Sequence, residues 1–184
     1  MSWFTRNKTA SHQKLTTGEL TKFAMLGTIM FGSKIIMEWI PNVHLLGMFT
    51  MVYTLVYREK GLIPIYVYIL LNGVYAGFAP WWIPYLYLWT VLWGVTMLLP
   101  KDLPARWAMI VYPLVCMSHG LLFGTLYAPA QAILYGFTFK QTIAWIIAGL
   151  PWDFLHGMGN LAAGLLILPL VRLLRRLERG FVRD

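Results

Sequence analysis

All but two of the 15 lysines and arginines in this chain stand in four segments, and apolar runs separate those segments. Arg6, Lys8, Lys14 and Lys22 mark the start; Arg58 and Lys60 mark a hairpin at 58–61; Lys101 and Arg106 mark a loop at 100–106; Arg172, Arg175, Arg176, Arg179 and Arg183 mark the end. Only Lys34 and Lys140 lie elsewhere. Basic residues collect on the cytoplasmic side of membrane proteins. The pattern therefore predicts an even number of membrane spans with both termini in the cytoplasm.

Composition points the same way. The chain has 184 residues, 59% hydrophobic and 12% charged, with a mean hydropathy of +0.63; soluble domains carry about 25% charged residues. A hydrocarbon core of about 30 Å needs roughly 20 apolar residues per helix. The sequence predicts one all-α integral membrane domain over 1–184, with a cytoplasmic tail at 1–18 and a basic cytoplasmic tail at 172–184. The polar start, "MSWFTRNKTASHQKLTTGEL", does not read as a cleaved signal. Cys116 has no partner for a disulfide or a metal cluster.

Six spans are expected. The first runs over 20–39, with Thr16 or Thr17 as its cap and Glu19 in its first turn, and ends at "PNVH". The second ends at Tyr57, before "REKG"; the third, "LIPIYVYILLNGVYAGFAP", ends at Pro80; the fourth covers 81–99. The fifth, to Tyr135, contains Pro113 and Pro129 and is expected to kink or to end in a short re-entrant piece. The sixth begins near Lys140, is interrupted at Pro151 and runs into the basic tail. The three outer connections, "WIPNVH", "FAPWWIPYLY" and "YGFTFK", are aromatic and nearly uncharged.

Against this background "LPWDFLHGMGN" stands out. Asp153, His156 and Asn160 fall at i, i+3 and i+7 and share one helical face. Ionisable groups within a membrane segment usually face a bundle interior or a cavity, so they read as a ligand-site wall or as hydrogen bonds between helices. Gly157 and Gly164 on the same face suggest empty volume beside them. Trp82, Tyr85 and Trp89 share another face next to Trp81. They read either as an interfacial aromatic belt or as a platform for a planar ligand. Asn42 and His44 in the first outer loop, with Glu38 just before it, are candidates for polar contacts, with ordinary loop hydration as the plainer account. Asn72 reads as a bond between helices, and His119 as a satisfied bundle histidine. Ala24, Thr28 and Gly32 repeat every four residues, a small-residue stripe for close helix approach, within the bundle or against a partner. No HExxH, phosphate loop, Gly-x-Ser-x-Gly or cysteine pair is present. No catalytic set, metal site or cofactor is expected, and ATP cannot be hydrolysed here by a phosphate loop.

The order of these features resembles the substrate-binding S component of energy-coupling factor (ECF) vitamin transporters. The likeness covers nearly the whole chain: six spans, a small-xxx-small first helix, and a last helix with an Asp, His and Asn series before a basic tail. It implies a six-helix bundle that captures a vitamin outside. The loaded bundle then topples against a membrane scaffold subunit, driven by two cytosolic ATPases that use the ATP. The family's docking stripe is Ala-xxx-Ala, and here Thr28 replaces the second alanine. Carried over, the family pocket selects Trp81, Trp82, Tyr85, Trp89, Asp153, His156 and Asn160. The cobalamin-type branch is the best resemblance, with folate, pantothenate and other vitamins as alternatives. Two further readings remain: a structural membrane scaffold, and an intramembrane enzyme using Asp153 with His156.

Overall fold

The computed structural model describes residues 15–181. Arg6, Lys8, Lys14 and Arg183, and most of the expected N-terminal tail, lie outside them. Among the described residues all regular structure is helical: α1 (Thr17–Ile36), α2 (Leu46–Tyr57), α3 (Leu62–Ala76), α4 (Tyr85–Met97), α5 (Ala105–Leu121), α6 (Phe123–Tyr135), α7 (Phe139–Gly164) and α8 (Ile167–Phe181), with short 3-10 turns at Arg58–Gly61 and Pro80–Trp82. α5 runs on into α6, and α7 into α8, so the eight helices make six helical segments.

Local chemistry sets the ends. Thr16 caps α1 in a reciprocal capping box with Glu19, and Thr138 does the same for α7 with Gln141. The third segment stops at Ala76, short of the expected Pro80, because Gly77 takes a φ of 87° that a continuing helix cannot use. The fourth starts at Tyr85, after Pro80 and Pro84. The last segment also departs from expectation. α7 continues through Pro151, and the break falls instead at residues 165–166, bent by 46°. Pro169 supplies the cause: it lacks the N–H that would bond the Leu165 carbonyl, and its ring crowds that same carbonyl. The fifth segment is interrupted at Leu122, between its two prolines and not at either.

α2 is the hub. It packs against α4 and α8 and touches α1, α3, α5 and α7, and Leu46, Met48, Met51, Val52, Tyr53 and Leu55 are buried along it. Around it, α1 pairs with α3 and α5 with α7. Both pairs close on glycine. A Cβ at Gly27 would stand 2.6 Å from the Val67 side chain and 2.8 Å from the Pro64 carbonyl. A Cβ at Gly120 would stand 2.8 Å from the Gly157 Cα, and one at Gly164 would stand 2.6 Å from the Pro113 Cα.

The basic segments meet at one end of the bundle. Lys22 pairs with Glu178 at 2.8 Å and Lys60 with Glu19 at 2.5 Å, while Tyr57 donates to Glu178 at 2.8 Å. Arg175 reaches the carbonyls of Leu55 (3.1 Å) and Lys101 (3.2 Å). The start of α1, the 58–61 turn, the 100–104 loop and α8 are thus clasped together, as the charge pattern requires. The connections at 37–45, 77–84 and 136–138 lie at the other end.

The span count is less simple. Among the described residues Ala105–Tyr135 is long and apolar enough to cross a bilayer, and Phe139–Gly164 with Ile167–Gly180 make a second such span if the bent pair counts as one. α2, α3 and α4 have 12, 15 and 13 residues. At 1.5 Å per residue they rise only about 18–23 Å. α1 has the length but carries Glu19, Lys22 and Lys34. The surface is nevertheless apolar: Leu70 and Val74 on α3, Ile110 and Leu114 on α5, and Ile143 and Ile147 on α7 are exposed, whereas Asn72, His119, Asp153, His156 and Asn160 are buried.

The two glycines of α1 make a paired test. Gly27→Ala drives a methyl into α3 and lowers stability by about 1–3 kcal/mol. At Gly32 a Cβ meets nothing within 4 Å, so Gly32→Ala is neutral or gains up to about 1 kcal/mol from helix propensity. Thermal unfolding of both variants in detergent checks the contrast.

Candidate functional site

The α7 face behaves as its spacing predicts: Asp153, His156 and Asn160 are 6%, 3% and 0% exposed. Gly157 and Gly164 on this face leave no empty volume, contrary to expectation. The Leu121 side chain fills the space at Gly157, and Pro113 fills that at Gly164. Asn160 donates from Nδ2 to the Cys116 carbonyl at 3.1 Å and ties α7 to α5. It does not line a groove.

Asp153 does. Its Oδ1 accepts the Gly124 N–H at 3.0 Å, while Oδ2 is buried without a partner. Gly124 lets the carboxylate sit this close, because a Cβ there would stand 2.5 Å from Oδ2 and force it to shift. A groove of about 580 Å³ opens over this contact. From α6 it takes Phe123, Gly124, Tyr127 and Gln131, and from α7 it takes Trp145, Gly149, Trp152 and Asp153. Both sets fall on single helical stripes. Pro41 and Asn42 complete the mouth; Asn42 has a φ of 55°, a left-handed conformation that asparagine tolerates better than most residues. Tyr127 and Trp145 stack at 6.0 Å with an interplanar angle of 22°.

Behind Phe123 lies an aromatic and imidazole cluster. His156 stands 4.7 Å from Phe123 and 4.6 Å from His44, ring centre to ring centre. Trp89, fully buried, is 5.9 Å from His44, 5.5 Å from His119 and 5.9 Å from Phe123. Tyr85 meets Trp89 edge-on at 6.0 Å. His119 bonds the Leu88 carbonyl through Nε2, and its Nδ1 is buried without a partner. His44 Nδ1, His156 Nε2 and Trp89 Nε1 are buried and unpartnered as well. In the loop at 37–45, burial, reinforced by His119, pushes His44 down to about 4, so it is neutral at physiological pH. Among the described residues no three His, Cys, Asp or Glu side chains gather as a metal site.

The expected aromatic platform is divided. Trp89 and Tyr85 form the wall behind Phe123. The Trp81 carbonyl accepts from the Tyr127 hydroxyl at 3.0 Å, and its ring meets Tyr85 at 5.6 Å. Trp82 turns away: its Nε1 donates to the Ile69 carbonyl at 2.8 Å and its ring packs on Phe78. The three were expected on one helical face, but Trp82 sits on a separate 3-10 turn before α4 begins. Sequence reasoning missed Phe123, Tyr127, Gln131, Trp145 and Trp152. Their signal was available in the four-residue spacing of Phe123, Tyr127 and Gln131, and in Trp145, Trp152 and Asp153 at i, i+7 and i+8.

Fold and site together define an all-helical bundle with an apolar surface, buried polar groups and an aromatic-walled groove over a buried carboxylate. No protein-family model, curated protein or solved structure matches the chain.

Asn160 and the groove are separable. Asn160→Ala removes one bond between helices, which lowers stability in detergent by about 0.6–2 kcal/mol. It leaves the glycine contacts of α5 with α7 and the groove residues in place, so the unfolding temperature falls while the near-UV circular dichroism of the aromatic walls stays as in the parent.

Proposed function

We propose that this chain is the substrate-binding membrane subunit of an ECF-type importer, an S component that captures a vitamin outside the cell. In this reading the six helical segments form a membrane bundle, the clasped basic end faces the cytoplasm, and the groove opens outward. The single observation that carries it is the groove over Asp153, placed at the end of the bundle opposite the basic clasp. The apolar surface supports its setting: large apolar side chains are exposed around the outside while Asn72, Asp153, His156 and Asn160 lie within, as expected where lipid is the solvent.

The partners are a membrane scaffold subunit and two cytosolic ATPases. Ala24 and Thr28 are exposed and Gly32 is partly so. The face of α1 that closes on α3 is centred on Gly27 instead, so the Ala24–Thr28–Gly32 stripe is not spent within the bundle and suits scaffold docking. The ATP is consumed by those partners, and loading the bundle does not require it. Cobalamin is the vitamin favoured by resemblance, but a groove of about 580 Å³ lies in the range that encloses drug-sized molecules. It favours a vitamin smaller than a corrinoid.

The reading is tested by thermal shift of the detergent-purified chain against cobalamin, folate, pantothenate, riboflavin, thiamine and biotin, without ATP. One of these raises the unfolding temperature, since a ligand that binds only the folded state stabilises it by mass action. No shift with any of the six overturns vitamin capture by the isolated subunit.

A further inference from the structure

We infer that the groove takes a planar nitrogen heteroaromatic that presents a cationic or amino-bearing edge to Asp153. This rests on the capture reading above and names the chemical class captured.

The argument begins with an imbalance. A carboxylate buried to 6% exposure has one oxygen held by the Gly124 N–H and the other without a partner. A buried acceptor left unmet is costly, and a buried charge more so, unless a donor or a cation meets it. No basic side chain of the described residues pairs with Asp153. The ion pair next in this half of the molecule, Lys34 with Glu38 at 3.1 Å, is closed on itself. Among the described residues no donor meets Oδ2, so a ligand that carries a donor or a cation can supply the partner.

The walls add shape. Phe123, Tyr127, Trp145 and Trp152 line the groove together with Asp153, and Tyr127 and Trp145 lie nearly parallel. Such surfaces favour flat ligands, and more so where the ligand carries positive charge. Asn42 and Gln131 at the margins can donate and accept, which suits the ring nitrogens and carbonyls of a heteroaromatic. A methyl group on Gly149 would meet nothing within 4 Å, which leaves room beside Trp145 and Trp152. An anionic head group has no complement here, because the one charge of the groove is itself negative.

Three small probes of similar outline separate the possibilities by isothermal titration calorimetry on the full chain in detergent: 2-aminobenzimidazole, with a donor edge; indole, with one ring N–H; and benzimidazole-2-carboxylate, an anion. The expected ranking places 2-aminobenzimidazole at least about tenfold tighter than the other two, the scale of one charge-assisted hydrogen bond. Asp153→Asn, whose amide oxygen still accepts the Gly124 N–H, reduces 2-aminobenzimidazole to the level of indole. Equal or tighter binding of the anion or of indole overturns the donor-edge class and leaves capture standing, as does an unchanged affinity in Asp153→Asn. No heat with any probe, in a preparation whose unfolding temperature also ignores the six vitamins, overturns the capture reading itself. The ranking in the parent protein decides the question even if the Asn variant fails to fold.

Discussion

The contact between α5 and α7 sets the geometry on which the site depends. Gly120 meets Gly157 and Gly164 meets Pro113 at distances that leave no room for a single methyl. Asn160 adds a hydrogen bond across the same seam. Because α6 continues α5 after a one-residue break, the seam also fixes how α6 lies against α7. The stripes Phe123–Tyr127–Gln131 and Trp145–Gly149–Trp152 then face a common space, and Asp153 meets the Gly124 amide at its base. Small residues here do not create a cavity where they stand. They permit a close approach along the C-terminal half of α7, and the groove lies farther along the same helix, between its N-terminal half and α6.

The interior holds hydrogen-bonding groups left unused. Among the described residues, buried nitrogens on His44, His119, His156 and Trp89, and an oxygen each on Asp153, Asn160, Asn72 and Tyr68, have no partner. Those on His44, His156, Trp89 and Asp153 lie in or just behind the groove wall. Polar atoms concentrated this way are costly in an apolar interior unless a ligand or water completes them.

The sequence made some of this legible. Charge placement located the two ends of the bundle correctly because ion pairs and helix-end contacts, such as Lys22 with Glu178 and Arg175 with the Leu55 carbonyl, need those segments to meet. The inward face of α7 was legible because three polar residues at helical spacing among apolar ones have one natural direction. The helix limits were harder. Gly77, Pro84 and Pro169 act through local backbone geometry, and an apolar count reads through all three. The groove was the least legible part. Phe123, Tyr127, Trp145 and Trp152 look like ordinary apolar membrane residues until α6 and α7 are placed side by side, whereas Trp82, more conspicuous in the sequence, is spent on a carbonyl of α3.

The bend before α8 bears on how the two ends of the bundle differ. Turned by 46°, α8 packs on α2 and α5, and Arg175 and Glu178 tie it to α1, α2 and the 100–104 loop. The groove is at the far end. The ion pairs that close one end therefore take no part in the groove, whose lining holds a single ionisable acid, Asp153.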